Sequence, residues 1–163
     1  MKKLLLILVA ISPILVKAQV STQTMGDVAY VLNEKKVTKA EFDAVPPSDV
    51  LEAGALKGDE ATKAYGPGAA NGVFVMVTRK FAIASYQEKL SQLCDSYESY
   101  LTGHGTEDDA IAYDLDGKTL PKNPSGMLIL YHLPKEKIAD AVFTEKEPET
   151  SKFAVRIVIT TKK

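Results

Sequence analysis

Two histidines, one cysteine and a run of acids are the groups in this 163-residue chain with the chemistry to act on another molecule. His104 and His132 stand 28 residues apart with no Cys or His at ligand spacing. A zinc site draws on three or four ligands, so they do not read as one. Cys94 has Asp95 beside it and no basic neighbour, whereas a reactive thiolate needs an electropositive setting; a structural thiol is expected. Glu107, Asp108, Asp109, Asp114 and Asp116 crowd ten residues without the spacing of a calcium loop. They read as solvated loop acids, although Asp114 and Asp116, alternating along a strand, leave a weak surface cation site open. The run from Gly66 to Gly72 has the composition of a phosphate loop. Such loops follow a strand and open a helix; this one precedes a strand, and no Gly-Lys-Ser/Thr follows it. No serine sits in a nucleophile elbow. These readings expect no enzyme, no cofactor and no metal.

The elements that would position these groups occur twice. Val28-Ala29-Tyr30-Val31-Leu32 opens a unit that closes on Val77-Thr78-Arg79-Lys80, and Ile111-Ala112-Tyr113-Asp114-Leu115 opens one that closes on Thr160-Thr161-Lys162-Lys163. Residues 28–80 and 111–163 share one offset of 83, so one small architecture is used twice. Each unit starts with a strand rich in β-branched and aromatic types. Asp116-Gly117 then marks a tight turn in the second unit; the first has Asn33-Glu34, for which a looser turn is expected. Residues 39–45 read as a short helix with Thr38 and Glu41 in capping-box spacing. Pro46-Pro47 stops it, a helical turn is expected at 48–52, and a strand near 53–57. Residues 59–65 read as a helix ended by Gly66, and 73–78 as a buried central strand. The second unit gives a strand at 111–115, a loop and helix over 121–133, and strands at 138–143 and 155–161. A charged turn fills 145–150. Pro47 aligns with Pro134 at an offset of 87. Between the units, Leu90, Leu93, Cys94, Tyr97 and Leu101 fall at helical steps, predicting one amphipathic connector helix over 86–101 ended by Gly103. Residues 102–109 read as a polar loop.

Composition bounds the setting. Lys2 and Lys3 precede an apolar run over 4–16, and Val16-Lys17-Ala18 ends it, the pattern of a signal peptide cut before Gln19. The alternative, a membrane anchor, would want about 20 apolar residues. Without the leader, 17 basic residues face 21 acidic ones, which does not suit nucleic acid. A single cysteine allows no internal disulfide. Residues 19–27 are a polar lead-in.

The stretch Pro47-Ser48-Asp49-Val50-Leu51-Glu52-Ala53-Gly54-Ala55-Leu56-Lys57 is followed by Ala64-Tyr65-Gly66-Pro67-Gly68-Ala69-Ala70-Asn71-Gly72-Val73 and Val77-Thr78-Arg79-Lys80. Together they resemble the plug domain of TonB-dependent outer-membrane receptors, in the form typical of starch-utilisation importers. The second unit keeps Tyr113-Asp114-Leu115-Asp116-Gly117 and Ile159-Thr160-Thr161-Lys162-Lys163 and lacks the Ala-Tyr-Gly loop. The resemblance covers 28–80 well, 111–163 in part, and 81–110 not at all. It implies a Gram-negative envelope setting, and a contact surface at Tyr65, Gly66, Gly68, Asn71, Gly72, Asp114, Asp116 and Gly117. A receptor barrel needs strands of about 9–11 residues, and no alternating apolar strands remain for one, so transport by this chain alone is not expected.

The expected organisation is α+β: a signal peptide (1–18), a lead-in (19–27), plug-like unit one (28–80), a helical connector and loop (81–110) and a degenerate plug-like unit two (111–163). The expected function is that of an exported, periplasmic or outer-membrane-associated module acting through protein contacts. An outer-membrane receptor or a TonB-type component is the partner class the resemblance suggests. The alternative is a periplasmic small-ligand binder using the cleft between the units. Whether the units share one sheet is open. N-terminal sequencing of the exported protein is expected to begin at Gln19; a chain that retains Lys2 and Lys3 would instead identify an uncleaved anchor.

Overall fold

The first hairpin turns through two residues in the left-handed region, Asn33 (φ 51°) and Glu34 (φ 64°), and its counterpart through Asp116 (φ 48°) and Gly117 (φ 80°). Positive φ at both central positions matches the twist of the flanking strands. The same bonds hold both turns. Asn33 Oδ1 accepts from the Thr78 N–H at 2.9 Å and its hydroxyl at 3.2 Å. The Asp116 carboxylate accepts from the Thr161 N–H at 2.8 Å and its hydroxyl at 2.7 Å. The looser first turn expected from the missing Asp-Gly is therefore corrected: Asn33 tolerates the left-handed region, and Thr78 fixes it there.

The computed structural model describes residues 28–105, 108–145 and 153–162. The leader and lead-in expected over 1–27, Glu107, and 146–150 of the charged turn lie outside them. Among the described residues the chain is α+β with two four-stranded sheets and five α-helices. In order these are β1 (Ala29–Leu32), β2 (Lys35–Val37), α1 (Lys39–Asp43), β3 (Val50–Leu56), α2 (Gly58–Tyr65), β4 (Val73–Thr78), α3 (Arg79–Ser91) and α4 (Asp95–His104). The second unit follows as β5 (Ile111–Leu115), β6 (Lys118–Thr119), α5 (Pro124–His132), β7 (Ile138–Thr144) and β8 (Val155–Thr161). No helix among the described residues is long and apolar enough to cross a membrane.

The sheets run β2-β1-β4-β3 and β6-β5-β8-β7. In each, a hairpin pairs antiparallel, its first strand lies parallel to the last strand of the unit, and that strand carries an antiparallel edge. Tyr30 sits opposite Phe74, and Tyr113 opposite Ile157, so the register repeats under the offset of 83. Both edge strands slip by one residue near their start, between Val50 and Glu52 and between Ile138 and Asp140. A proline and a 3₁₀ turn precede each slip, with Pro46 O accepting from Asp49 N–H and Pro134 O from Lys137 N–H. Pro46, not Pro47, is thus the counterpart of Pro134. The short strands β2 and β6 were not legible in the sequence, because Lys35, Lys36 and Lys118 are charged residues beside a turn and carry no strand pattern.

The capping box at Thr38 and Glu41 forms, but α1 ends at Asp43, ahead of the extended Pro46. Only 47–49 turn helically, and β3 begins at Val50, earlier than expected. Helix α2 ends on Gly66 at φ 82° as expected. The connector differs more. It is two helices rather than one, broken at 92–94, with Cys94 extended (φ −146°, ψ 100°) as it enters α4. The break re-aims the second helix so that Tyr97 becomes fully buried, while Leu93 is left exposed.

The two units bury opposite faces of the same sheet. In the second, Ile111, Tyr113, Ile157 and Ile159 meet Tyr86 and Leu90 of α3, Tyr97 of α4 and Leu130 of α5. In the first, Val31 and Val73 lie under Ala61 of α2 and Ala69 of the turn after it. Under the offset of 83, Val31 and Val73 correspond to Asp114 and Arg156, an ion pair at 2.7 Å. The segment 58–72 explains the choice in the first unit, and among the described residues of the second no helix stands between β7 and β8 to cover that face. Because Asn33 anchors the turn to β4, Asn33→Ala is expected to lower unfolding free energy by about 1–3 kcal/mol. Asn33→Gly, which keeps the φ angle, should cost less; urea denaturation of both variants checks the order.

Candidate functional site

Sheet one offers two candidate surfaces, one on each face. On the outer face the strands line up in rows. Val37, Tyr30, Phe74 and Ala55 form one row, and Lys35, Leu32, Met76 and Ala53 the next. Phe42 of α1 packs against Tyr30 at 5.3 Å, and Tyr30 stacks on Phe74 at 5.8 Å. Beyond Phe42 the cover is thin: Phe74 is 42% exposed, and Ala53 and Ala55 are exposed. The corresponding rows of sheet two contain Tyr113, Ile157 and Phe143, then Leu115, Ile159 and Ala141. There Ile157 and Ile159 are fully buried beneath the helices.

The inner face carries a groove of about 410 Å³ between the units. Gly54, Leu56, Val75 and Val77 line its apolar part, Tyr65 stands at the end of α2, and Tyr131 and His132 reach in from α5. Glu34 and Glu52 make it polar. The Tyr131 hydroxyl donates to Glu34 Oε1 at 2.9 Å, and His132 Nε2 lies 2.8 Å from Glu52 Oε2. Burial, then the bond to Glu34, raises the Tyr131 phenol above its ordinary range. The end of α5 is held from behind by Lys89, whose ammonium donates to the carbonyls of Leu130, Tyr131 and Leu133 at 3.1, 3.0 and 2.5 Å. A cation on the last carbonyls of a helix satisfies both their lone pairs and the helix dipole. Burial lowers the Lys89 pKa.

Of the eight contact residues the resemblance implied, Tyr65 alone lines this groove, and His132, read in the sequence as a lone histidine, lines it too. Gly66 is the left-handed end of α2, and Gly68 and Asn71 are exposed in the turn that follows. Gly72 (φ 111°) has a backbone reason: a Cβ there would stand 3.3 Å from the Leu56 carbonyl oxygen, and its own carbonyl accepts from Ala29 N–H. Asp114, Asp116 and Gly117 belong to the other unit. Asp114 pairs with Arg156, and Asp116 is spent on Thr161. The eight residues therefore do not form one surface. His104 stacks on Tyr100 at 4.4 Å, and Cys94 is half-buried against the second core. No group of three or more His, Cys, Asp or Glu among the described residues could hold a metal ion.

One polar constellation was missed. Asp108, read as a solvated loop acid, is only 7% exposed. Its carboxylate accepts from the Tyr113 hydroxyl at 2.7 Å and pairs with Lys122 Nζ at 2.9 Å, and Lys122 also donates to its main-chain oxygen at 2.6 Å. Tyr113 is hydrogen-bonded to Tyr97 at 2.9 Å, and the Lys122 ammonium stands 4.5 Å over the Tyr113 ring. The Tyr86 ring meets Tyr113 edge-on at 5.4 Å. Gly126 lets Lys122 come this close, since a Cβ there would fall 2.0 Å from the Pro121 carbonyl oxygen. The network is buried except for the partly exposed Lys122, and it joins α3, α4, β5 and the approach to α5. Its chemistry is that of a buried strut. No protein-family model matches the chain, and neither a curated protein nor a solved structure matches it.

The strut sets the response to alkali. Burial chiefly raises Tyr86, Tyr97 and Tyr113 above the ordinary 10.0, and the Asp108 charge adds to the rise in each. The unfolded chain releases these protons as pH passes 10 while the fold retains them. Stability is therefore full below that pH and falls above it, by about 1.4 kcal/mol per pH unit for each tyrosine. Lys89 and Lys122, lowered from 10.5 by burial, act in the opposite sense up to that value and no further. Urea denaturation across pH 9–12 should thus show a steep decline above 10.5. At neutral pH, Asp108→Ala should cost about 3–5 kcal/mol by stranding Lys122 and the Tyr113 hydroxyl.

Proposed function

We propose that this chain is an exported, non-enzymatic module of a Gram-negative cell envelope that acts through protein contacts. The resemblance of 28–80 and 111–163 to receptor plug domains supplies the setting. It makes a receptor barrel, or a component of its energy-transducing apparatus, the partner class to test first. The observation that carries the reading is the outer face of sheet one. Tyr30, Leu32, Phe74 and Met76 form a row-by-row apolar surface there, and the chain's own helices cover its twin in the second unit. Apolar patches left open in this way mark interaction sites.

A second reading rests on the groove. A concavity of about 410 Å³ with an apolar floor and a few polar groups falls in the size range of small-molecule sites. On this reading a soluble ligand of the envelope binds between the units, and a ligand screen by thermal shift should return compounds whose effect Tyr65→Ala removes.

The two readings separate experimentally. A photo-reactive phenylalanine analogue at position 74, in cells, should crosslink to an envelope protein. The same analogue at Val142, exposed to 52% on the other sheet, should not. Adducts at both positions alike, or at neither, would count against the first reading.

A further inference from the structure

We infer that the partner on the outer face of sheet one presents an amphipathic helix, seated as α3 and α4 are seated on sheet two. The inference rests on the protein-contact reading and names the shape of the contact. Its ground is the internal repeat. Strand order, turn geometry and register coincide under the offset of 83, so sheet two displays what the same surface looks like when complete. Its cover comes from the segment that precedes its first strand: Tyr86 and Leu90 of α3, followed by Tyr97 of α4. The element that follows the hairpin, α5, adds Leu130. In sheet one the element after the hairpin is present as α1, reduced to five residues with Phe42 as its apolar contact. Among the described residues no counterpart of α3 and α4 lies over sheet one.

The inference takes the cleavage before Gln19 expected from the sequence. Residues 19–27 include only Val20 and Met25 as large apolar side chains, against the two helices used in the second unit. The vacant surface also has a polarity. Lys35 lies opposite Leu32 at the β2 edge, while the β3 side ends in Ala53 and Ala55. A helix with a tyrosine- and leucine-bearing stripe fits the apolar rows, and acidic residues on the flank that meets β2 complement Lys35. Small residues at Ala53 and Ala55, where sheet two has Ala141 and Phe143, let the helix backbone approach closely on that side.

The probe is a labelled peptide of residues 79–105, the chain's own cover segment, titrated against the purified protein lacking the leader. Saturable binding is expected. Phe74→Glu should weaken it about tenfold or more, as should Leu90→Asp in the peptide, while Val142→Glu should leave it unchanged. Circular dichroism confirms that each variant is folded. Absence of binding, or binding indifferent to Phe74→Glu, overturns the inference. So does a concentration-dependent dimer in sedimentation that Phe74→Glu dissociates, since a second copy would then be the occupant. Protection of the Phe74 strand from hydrogen exchange only when residues 1–27 are retained would overturn it in favour of the chain's own leader. If position 74 crosslinks to an envelope protein in cells but the peptide does not bind, the helix inference alone fails; if neither occurs, the protein-contact reading fails with it.

Discussion

A sheet of four strands has two faces, and among the described residues each repeat builds its buried core on a different one. That constraint organises the rest of the molecule. In the first repeat 58–72 folds back as α2 and a 3₁₀ turn, and Val31 and Val73 become core. In the second repeat the described residues hold no helix between β7 and β8, and the same lattice positions hold Asp114 and Arg156, paired across strands and half-buried. The apolar burden moves to the opposite face, where α3, α4 and α5 converge. One backbone plan thus supports two different cores, because alternation along a strand makes each face an independent chemical choice.

Linking the two cores requires rigid joints, and they are polar. Lys89 holds the last carbonyls of α5, while Asp108, Lys122, Tyr113 and Tyr97 tie the connector to the second sheet. Tyr131 and His132 then reach from α5 to Glu34 and Glu52. These bonds differ in weight. The buried network costs desolvation and is strongly destabilising to break. The two contacts across the groove are more exposed and therefore screened. The contacts across the groove are thus weaker than those that hold the connector.

How much of this the sequence displayed follows from the range of each interaction. The repeat, the capping box at Thr38 and the end of α2 at Gly66 were legible because their causes lie within a few residues. The tight turn at Asn33 was not, since the bonds that hold it come from Thr78, 45 residues away. The break before Cys94 carries no proline or glycine; it follows from where Tyr97 must go to meet Tyr113. Asp108 looked like a loop acid because its partner Lys122 belongs to a different segment. Short-range rules also misplaced the proline correspondence, which depends on a register slip in β3 and β7. The groove was foreseen only as a cleft between units, because its walls come from α2, β3 and α5 together.

Strand β4 makes the two surfaces of sheet one a single problem. Val75 and Val77 point into the groove while Phe74 and Met76, alternating with them, form the outer rows. A side chain cannot serve both, so pressure to keep one face apolar does not by itself maintain the other. Yet both are apolar here, in a strand that the second unit's equivalent does not match. Val75 and Val77 correspond to Val158 and Thr160, the second of which is exposed and polar. A strand apolar on both faces is what a sheet covered on both faces requires. In the first unit the described residues cover only part of each face, with α2 and the tip of α5 on one and α1 on the other. The composition of β4 is that of a strand buried on both faces, although Phe74 is 42% exposed.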